Sequence, residues 1–260
     1  MKNNIACLLI LVFVLASGCN KNDPSENAAR LRVKITGTTS STSTKFNINL
    51  LSVEINAVDS ADRAADNWMT TEFKGGTYNL FEFSNGSSKQ IVDEYASPKI
   101  VKQVRLKFGS DNSITSDTTI NLTIPEEYKD GFVFDTDIKL QPYVIGSIML
   151  DFDVLQSVFV KDNNYYFLPH VRVYDETFGG KFKGTVTPAQ MPSLVKIKLD
   201  NDSVFSIPSN GSFLFSGLKP GIWKIHVIPD SLRLYKDTVF TDTIFDGKTT
   251  ILNIPLRVVK

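Results

Sequence analysis

Along most of this chain apolar and polar residues alternate one by one in short runs, the period of a strand that sets one face on a core and the other in water. Arg30 to Thr36 (RLRVKIT) places Leu31, Val33 and Ile35 against Arg30, Arg32 and Lys34, which predicts a half-buried strand. The same pattern predicts strands in FNINLLSVEINAV from Phe46, YNLFEF from Tyr78, IVKQVRLKF from Ile100, TTINLTI from Thr118 and GFVFDTDIKL from Gly131. It continues in IGSIMLDFDV from Ile145, SVFVK from Ser157 and NYYFLPHVRVYD from Asn164. Turn residues separate the runs: SNG at Ser84, GSDN at Gly109 and IPEEYKDG from Ile124. Only SADRAADNW, from Ser60, suits a short helix.

At Phe178-Gly179-Gly180 the pattern changes register, and the glycine pair permits a hinge. Seven shorter strands are predicted beyond it, from KFKGTVTP at Lys181 to KTTILNIPLRVV at Lys248. The expected fold class is therefore all-β, with two β-sandwich domains in tandem: a larger one over residues 28–176 and a smaller one over 181–260.

The first residues follow a different pattern. Lys2 precedes an apolar run from Ile5 to Leu15, and the small residues Ala16, Ser17 and Gly18 come next, the composition of a secretory signal over residues 1–18. The run is short for the roughly 20 residues that span a bilayer. Cys19 follows directly, so the segment resembles the lipobox of bacterial lipoproteins, with Ala16 where leucine is usual. That resemblance implies cleavage before Cys19, a diacylglycerol thioether on its sulfur, and a flexible tether over residues 19–27.

Charge and cysteine content narrow the function. The chain carries 28 basic and 28 acidic residues and no Lys/Arg cluster, which argues against nucleic-acid binding. Its two cysteines are Cys7, within the predicted signal, and Cys19. A mature chain starting at an acylated Cys19 has no free thiol for disulfides, nucleophilic catalysis or metal binding.

The candidate chemistry is sparse. Asp151 and Asp153 stand two apart in LDFDV, so on a strand both carboxylates share a face and form the nearest approach to a metal site. The same spacing fits a strand whose Leu150, Phe152 and Val154 fill the core while the aspartates meet water, and no cofactor or metal is expected. Asp135 and Asp137 repeat the arrangement. His170 and His226 are the only histidines, and each stands alone in a strand pattern without a recognised catalytic motif. Trp68, Tyr95, Tyr128, Tyr143, Tyr165 and Tyr166 fall in or near expected loops, where aromatic rings stack on sugars or anchor a protein partner.

Three stretches, YNLFEFSNG (Tyr78 to Gly86), IVKQVRLKFGSDNSI (Ile100 to Ile114) and Leu150 to Val173, make the first body resemble a numbered domain of unknown function found in Bacteroidetes lipoproteins. Thr36-Gly37-Thr38 stands where that family usually has Thr-Asp and a nearby Pro. GTVTP at Gly184 and NGSFLFSGLKPGIWKIHV from Asn210 make the second unit resemble carboxypeptidase regulatory-like domains, which implies a transthyretin- or Ig-like sandwich without a peptidase site. Asp-Ser/Thr-apolar triplets, such as Asp237-Thr238-Val239 and Asp242-Thr243-Ile244, resemble the O-glycosylation sequon of exported Bacteroidetes proteins.

These readings converge on a non-enzymatic envelope protein, held to the outer membrane through lipid on Cys19 and presenting a surface to a glycan or protein partner. Two alternatives stand beside it: a carboxylate- or metal-dependent hydrolase of envelope polysaccharide using Asp135, Asp137, Asp151 or Asp153, and a structural fimbrial or surface-layer component.

Overall fold

The computed structural model describes residues 27–39, 42–59, 61–62, 66–230 and 234–258. The signal segment, Cys19 and most of the tether lie outside the described residues.

The fold is all-β and has two separate hydrophobic cores, one built from residues between Ala29 and Phe167 and the other from residues between Phe182 and Leu256. Around the first core two sheets pack face to face. The smaller sheet has four strands in the order Val171–Asp175, Ile145–Phe152, Ala29–Gly37 and Lys89–Ala96. Its central pair is parallel, with Arg30 opposite Ile145 and Gly37 opposite Phe152. The larger sheet is centred on the 14-residue strand Lys45–Val58, flanked by Ile100–Phe108 and Asn112–Thr115, with Trp68–Thr70 and Gly76–Asn79 pairing along it.

The period-two pattern explains why these sheets face one another. Leu31, Val33 and Ile35 are fully buried, as are Phe46, Ile48 and Leu50 on the opposing strand. Phe108 closes the layer, meeting Phe132, Phe152 and Phe167 edge to face.

Around the second core, the sheet Ser212–Leu218, Gly180–Thr187, Thr249–Pro255 faces a sheet of Asp202–Ser206, Ser193–Leu199, Gly221–Pro229 and Thr238–Ile244. Phe182, Phe213, Phe215 and Trp223 fill the space between them. The Trp223 indole N–H is satisfied by the Lys219 carbonyl at 2.9 Å.

Several local expectations change. YNLFEF is not one strand: Gly76–Asn79 ends at Asn79, whose side chain accepts from the Phe81 N–H and starts the 3-10 turn Leu80–Glu82. NYYFLPHVRVYD divides into Asn164–Phe167 and Val171–Asp175, which belong to different sheets. In SADRAADNW, Ser60 and residues 63–65 lie outside the described residues; Ala61 sits in a turn and Trp68 opens a strand, so the described part holds no helix.

The glycine pair at the boundary is packed rather than open. A Cβ on Gly179 would come within 2.3 Å of the Leu218 carbonyl oxygen, and one on Gly180 within 2.4 Å of Ile244. Close backbone approach, not hinge freedom, is what requires glycine there. No helix among the described residues is long and apolar enough to cross a membrane.

Candidate functional site

A partly enclosed polar cleft of about 130 Å³ forms where the two units meet. It forms at the end of the opening strand, at Thr36, Gly37 and Thr38, beneath the turn Ser84–Ser87 and against Phe205, Ser206 and Ser216 of the second unit. The strand Val171–Asp175 forms one wall, and its residues are half-buried on both faces because the first core covers one side and the second unit the other.

Arg172 organises this wall. Its guanidinium pairs with the Asp151 carboxylate and donates to the carbonyl of Ser216 at 3.0 Å and, at 3.5 Å, to that of Gly217. It also lies 5.1 Å from the centre of the Tyr174 ring. Burial works against the guanidinium charge, but the acidic groups around it, Asp151 first, together outweigh burial and hold the Arg172 pKa above its ordinary value. Burial, reinforced by Asp151, pushes the Tyr174 phenol well above its ordinary range. The cleft thus contains a fixed, neutralised pair and a protonated tyrosine.

A second set of contacts comes from the turn at Ser84. Asn85 and Gly86 both adopt positive φ, 51° and 94°, which swings the Asn85 side chain onto the second unit. Its amide donates to the Ile207 carbonyl at 3.4 Å and accepts from the Ser206 hydroxyl at 3.1 Å. A Cβ on Gly86 would come within 2.7 Å of Leu214. Thr38 donates to the Phe205 carbonyl at 3.4 Å.

The four candidate aspartates do not share one site. Asp151 belongs to the Arg172 pair. Its strand ends at Phe152, so Asp153 does not project beside it: Asp153 is buried and caps the 3-10 turn Val154–Gln156, accepting from the Gln156 N–H at 3.3 Å. Burial raises the Asp153 pKa. Leu150, Phe152 and Val154 do fill the core. Asp135 is exposed and accepts from Gln103 at 2.9 Å, and Asp137 is exposed two residues along. Among the described residues no three His, Cys, Asp or Glu side chains gather as a metal site would require.

Asp153, Ser157 and His170 are neighbours, and the hydrogen bonds that Ser157 makes to the other two go to their backbone. The buried Ser157 hydroxyl donates to the Asp153 carbonyl at 2.6 Å and accepts from the His170 backbone N–H at 3.0 Å. That geometry staples a turn and leaves the hydroxyl without a side-chain base. His226 pairs with Asp237 at 2.7 Å on the second unit.

The aromatic candidates are dispersed, and four lie on strands rather than loops, Trp68 among them on Trp68–Thr70. Tyr95 is on Lys89–Ala96, a strand the sequence pattern did not reveal, while Tyr165 and Tyr166 are on Asn164–Phe167. Trp68 carries the Arg105 guanidinium 3.8 Å above its ring, and Tyr128 stacks on Phe132. Tyr143 stands 76% exposed in a turn. Of the triplet hydroxyls, that of Thr118 in Asp117-Thr118-Thr119 belongs to an exposed residue, whereas the Thr238 oxygen is enclosed without a hydrogen-bond partner and closed to modification in the folded protein.

Arg172, Tyr174 and Asn85 were not candidates from sequence. Their signals were present: HVRVYD points Arg172 and Tyr174 away from the core immediately before the boundary, and Asn-Gly marks a positive-φ turn.

The family described as Domain of unknown function (DUF4382) matches residues 28–169, just over half of the chain. No curated protein matches. Among solved structures, the TIE protein of Bacillus anthracis aligns at 11% identity and a TM-score of 0.28, covering 96% of this chain but 43% of that protein. The shaft pilin SpaA of Lactobacillus rhamnosus GG aligns at 8% identity and a TM-score of 0.25, covering 90% of this chain and 98% of the pilin. The minor pilin GBS52 of Streptococcus agalactiae aligns at 10% identity and a TM-score of 0.25, covering 88% of this chain and 96% of that pilin.

Proposed function

The chain belongs to the DUF4382 family through residues 28–169, and from that premise we propose that it is a non-enzymatic envelope lipoprotein, anchored at the outer membrane through Cys19, that presents its surface to a glycan or protein partner. The supporting observation is how the polar cleft between the two units is used. Arg172 joins the Asp151 carboxylate of its own sheet to main-chain oxygens of the second unit, so this ion pair in the cleft helps to hold the two units together. Asp153 serves as a turn cap and Asp135 as a partner of Gln103. The second unit's likeness to carboxypeptidase regulatory-like modules fits a spacer or presentation role.

The lipidated protein, purified from membranes, is tested on glycan arrays and in pull-downs from envelope extract. A saturable ligand is the expected result. Release of reducing sugar from envelope polysaccharide, abolished by Asp135→Asn or Asp151→Asn, would contradict the reading in favour of a hydrolase.

A further inference from the structure

The first unit has a pole opposite the cleft, where the strand Ala29–Gly37 begins and the chain arrives from its N-terminal side. Tyr143, Val144 and Ile145 lie there in succession, exposed by 76%, 48% and 47%, beside Tyr95 at 61%. Three consecutive exposed apolar side chains are uncommon on a surface meant only for water. Tyr143 adopts a φ of 61°, in the left-handed region that bulky side chains avoid. Its backbone N–H donates to the Ala28 carbonyl at 3.0 Å and its hydroxyl to Asn27 at 2.8 Å, so the turn is tied to the incoming chain.

The rest of the pole is equally ordered. Arg30 stands between Tyr95 and Ile145 in register, so the three form one row across the outer face of the sheet. The Arg30 guanidinium lies 5.2 Å from the centre of the Tyr95 ring and pairs with Asp93 at 2.5 Å. Tyrosines with an arginine beside short aliphatic side chains are the chemistry of a bilayer interface, where rings and stems enter the headgroup region and polar ends stay wet.

We propose that this pole is the membrane-facing surface of the protein, with Tyr143, Val144, Ile145 and Tyr95 seated against lipid headgroups. The inference rests on the proposed anchor at Cys19. Residues 20–26 are all that separates Cys19 from Asn27, a reach of roughly 30 Å fully extended and about 15 Å for a flexible chain. An acylated Cys19 therefore keeps this pole, rather than the opposite one, close to the bilayer. The Ala29–Gly37 strand of nine residues spans about 30 Å and ends at the cleft, so the second unit projects away from the membrane.

The test uses the full lipidated chain in vesicles of phosphatidylethanolamine and phosphatidylglycerol. An acylated Cys19 leaves no free thiol, so Tyr143→Cys, Ile145→Cys and, on the second unit, Val239→Cys are each labelled with a polarity-sensitive fluorophore. Emission at positions 143 and 145 is expected to shift to the blue and be lost to a spin-labelled lipid, while emission at 239 does neither. Membrane-bound protein whose labels at 143 and 145 remain unquenched, including through cover by a second copy or another protein, overturns this proposal alone. Wild-type chain that partitions like Cys19→Ala into the soluble fraction overturns the anchor and this proposal with it.

Discussion

Tyr174 of the first unit and Gly217 of the second are in contact so close that a Cβ on Gly217 would come within 2.4 Å of the tyrosine ring. Gly217 also has a φ of 63°, so glycine is required there both for backbone conformation and for space. Beside this contact, Arg172 donates to the carbonyls of Ser216 and Gly217, and the two units share one seam.

Gly217→Ala should therefore lower stability by about 1–3 kcal/mol, from the left-handed backbone and the overpacked ring together. Denaturant unfolding monitored in each unit separately checks it. The variant is expected to lose the coincidence of the two transitions, because the substitution acts on the contact between the units rather than on either core.

Arg172→Ala removes the partner of Asp151 and the donor to two carbonyls, and should cost about 1–3 kcal/mol. Arg172→Lys should rescue little of that loss, since an ammonium cannot reproduce the planar fork that meets a carboxylate and main-chain oxygens at once. Midpoints of denaturant unfolding for the two variants read this directly.

Acid sensitivity should depend on Glu54. Burial pushes its pKa up, but hydrogen bonds from Lys107 and Arg105, at 3.2 Å and 3.0 Å, outweigh that and hold the carboxyl below its ordinary range. A carboxylate with a lowered folded pKa stabilises the protein fully above the unfolded value, and that contribution is lost as pH falls through the folded one. Glu54→Gln should lower Tm near neutrality and flatten the acid-side fall in Tm between about pH 6 and pH 3. Asp153 has the opposite sign: burial raises its pKa, so its charged form becomes a burden as pH rises through the raised value.

Much of the fold was legible from period-two alternation. RLRVKIT and IVKQVRLKF form strands whose apolar residues are buried, and in GIWKIHVIPD the alternating Trp223, Ile225 and Val227 are buried while Ile222 faces solvent. The strand Lys89–Ala96 was not legible because only Val92 is buried in it; an edge strand with one anchoring residue has almost no alternation to detect. The parallel pairing of Ala29–Gly37 with Ile145–Phe152 joins segments far apart in sequence, so no local turn signal announces it.

The cleft was less legible than the strands. The histidines, aspartates and exposed aromatics stand out by residue type, yet the side chains that join the units include Arg172, Tyr174 and Asn85. Their importance depends on a surface from the other unit arriving over them. A strand pattern shows which residues point outward but not what covers them.

The most direct test of the account as a whole is the intact mass and N-terminal peptide of the protein extracted from membranes. A chain beginning at Cys19 with acyl chains and a diacylglycerol thioether is predicted, and any further hexose-sized increments would mark glycosylated triplets. A free Cys19 thiol, or a mature N-terminus at any other residue, would contradict it.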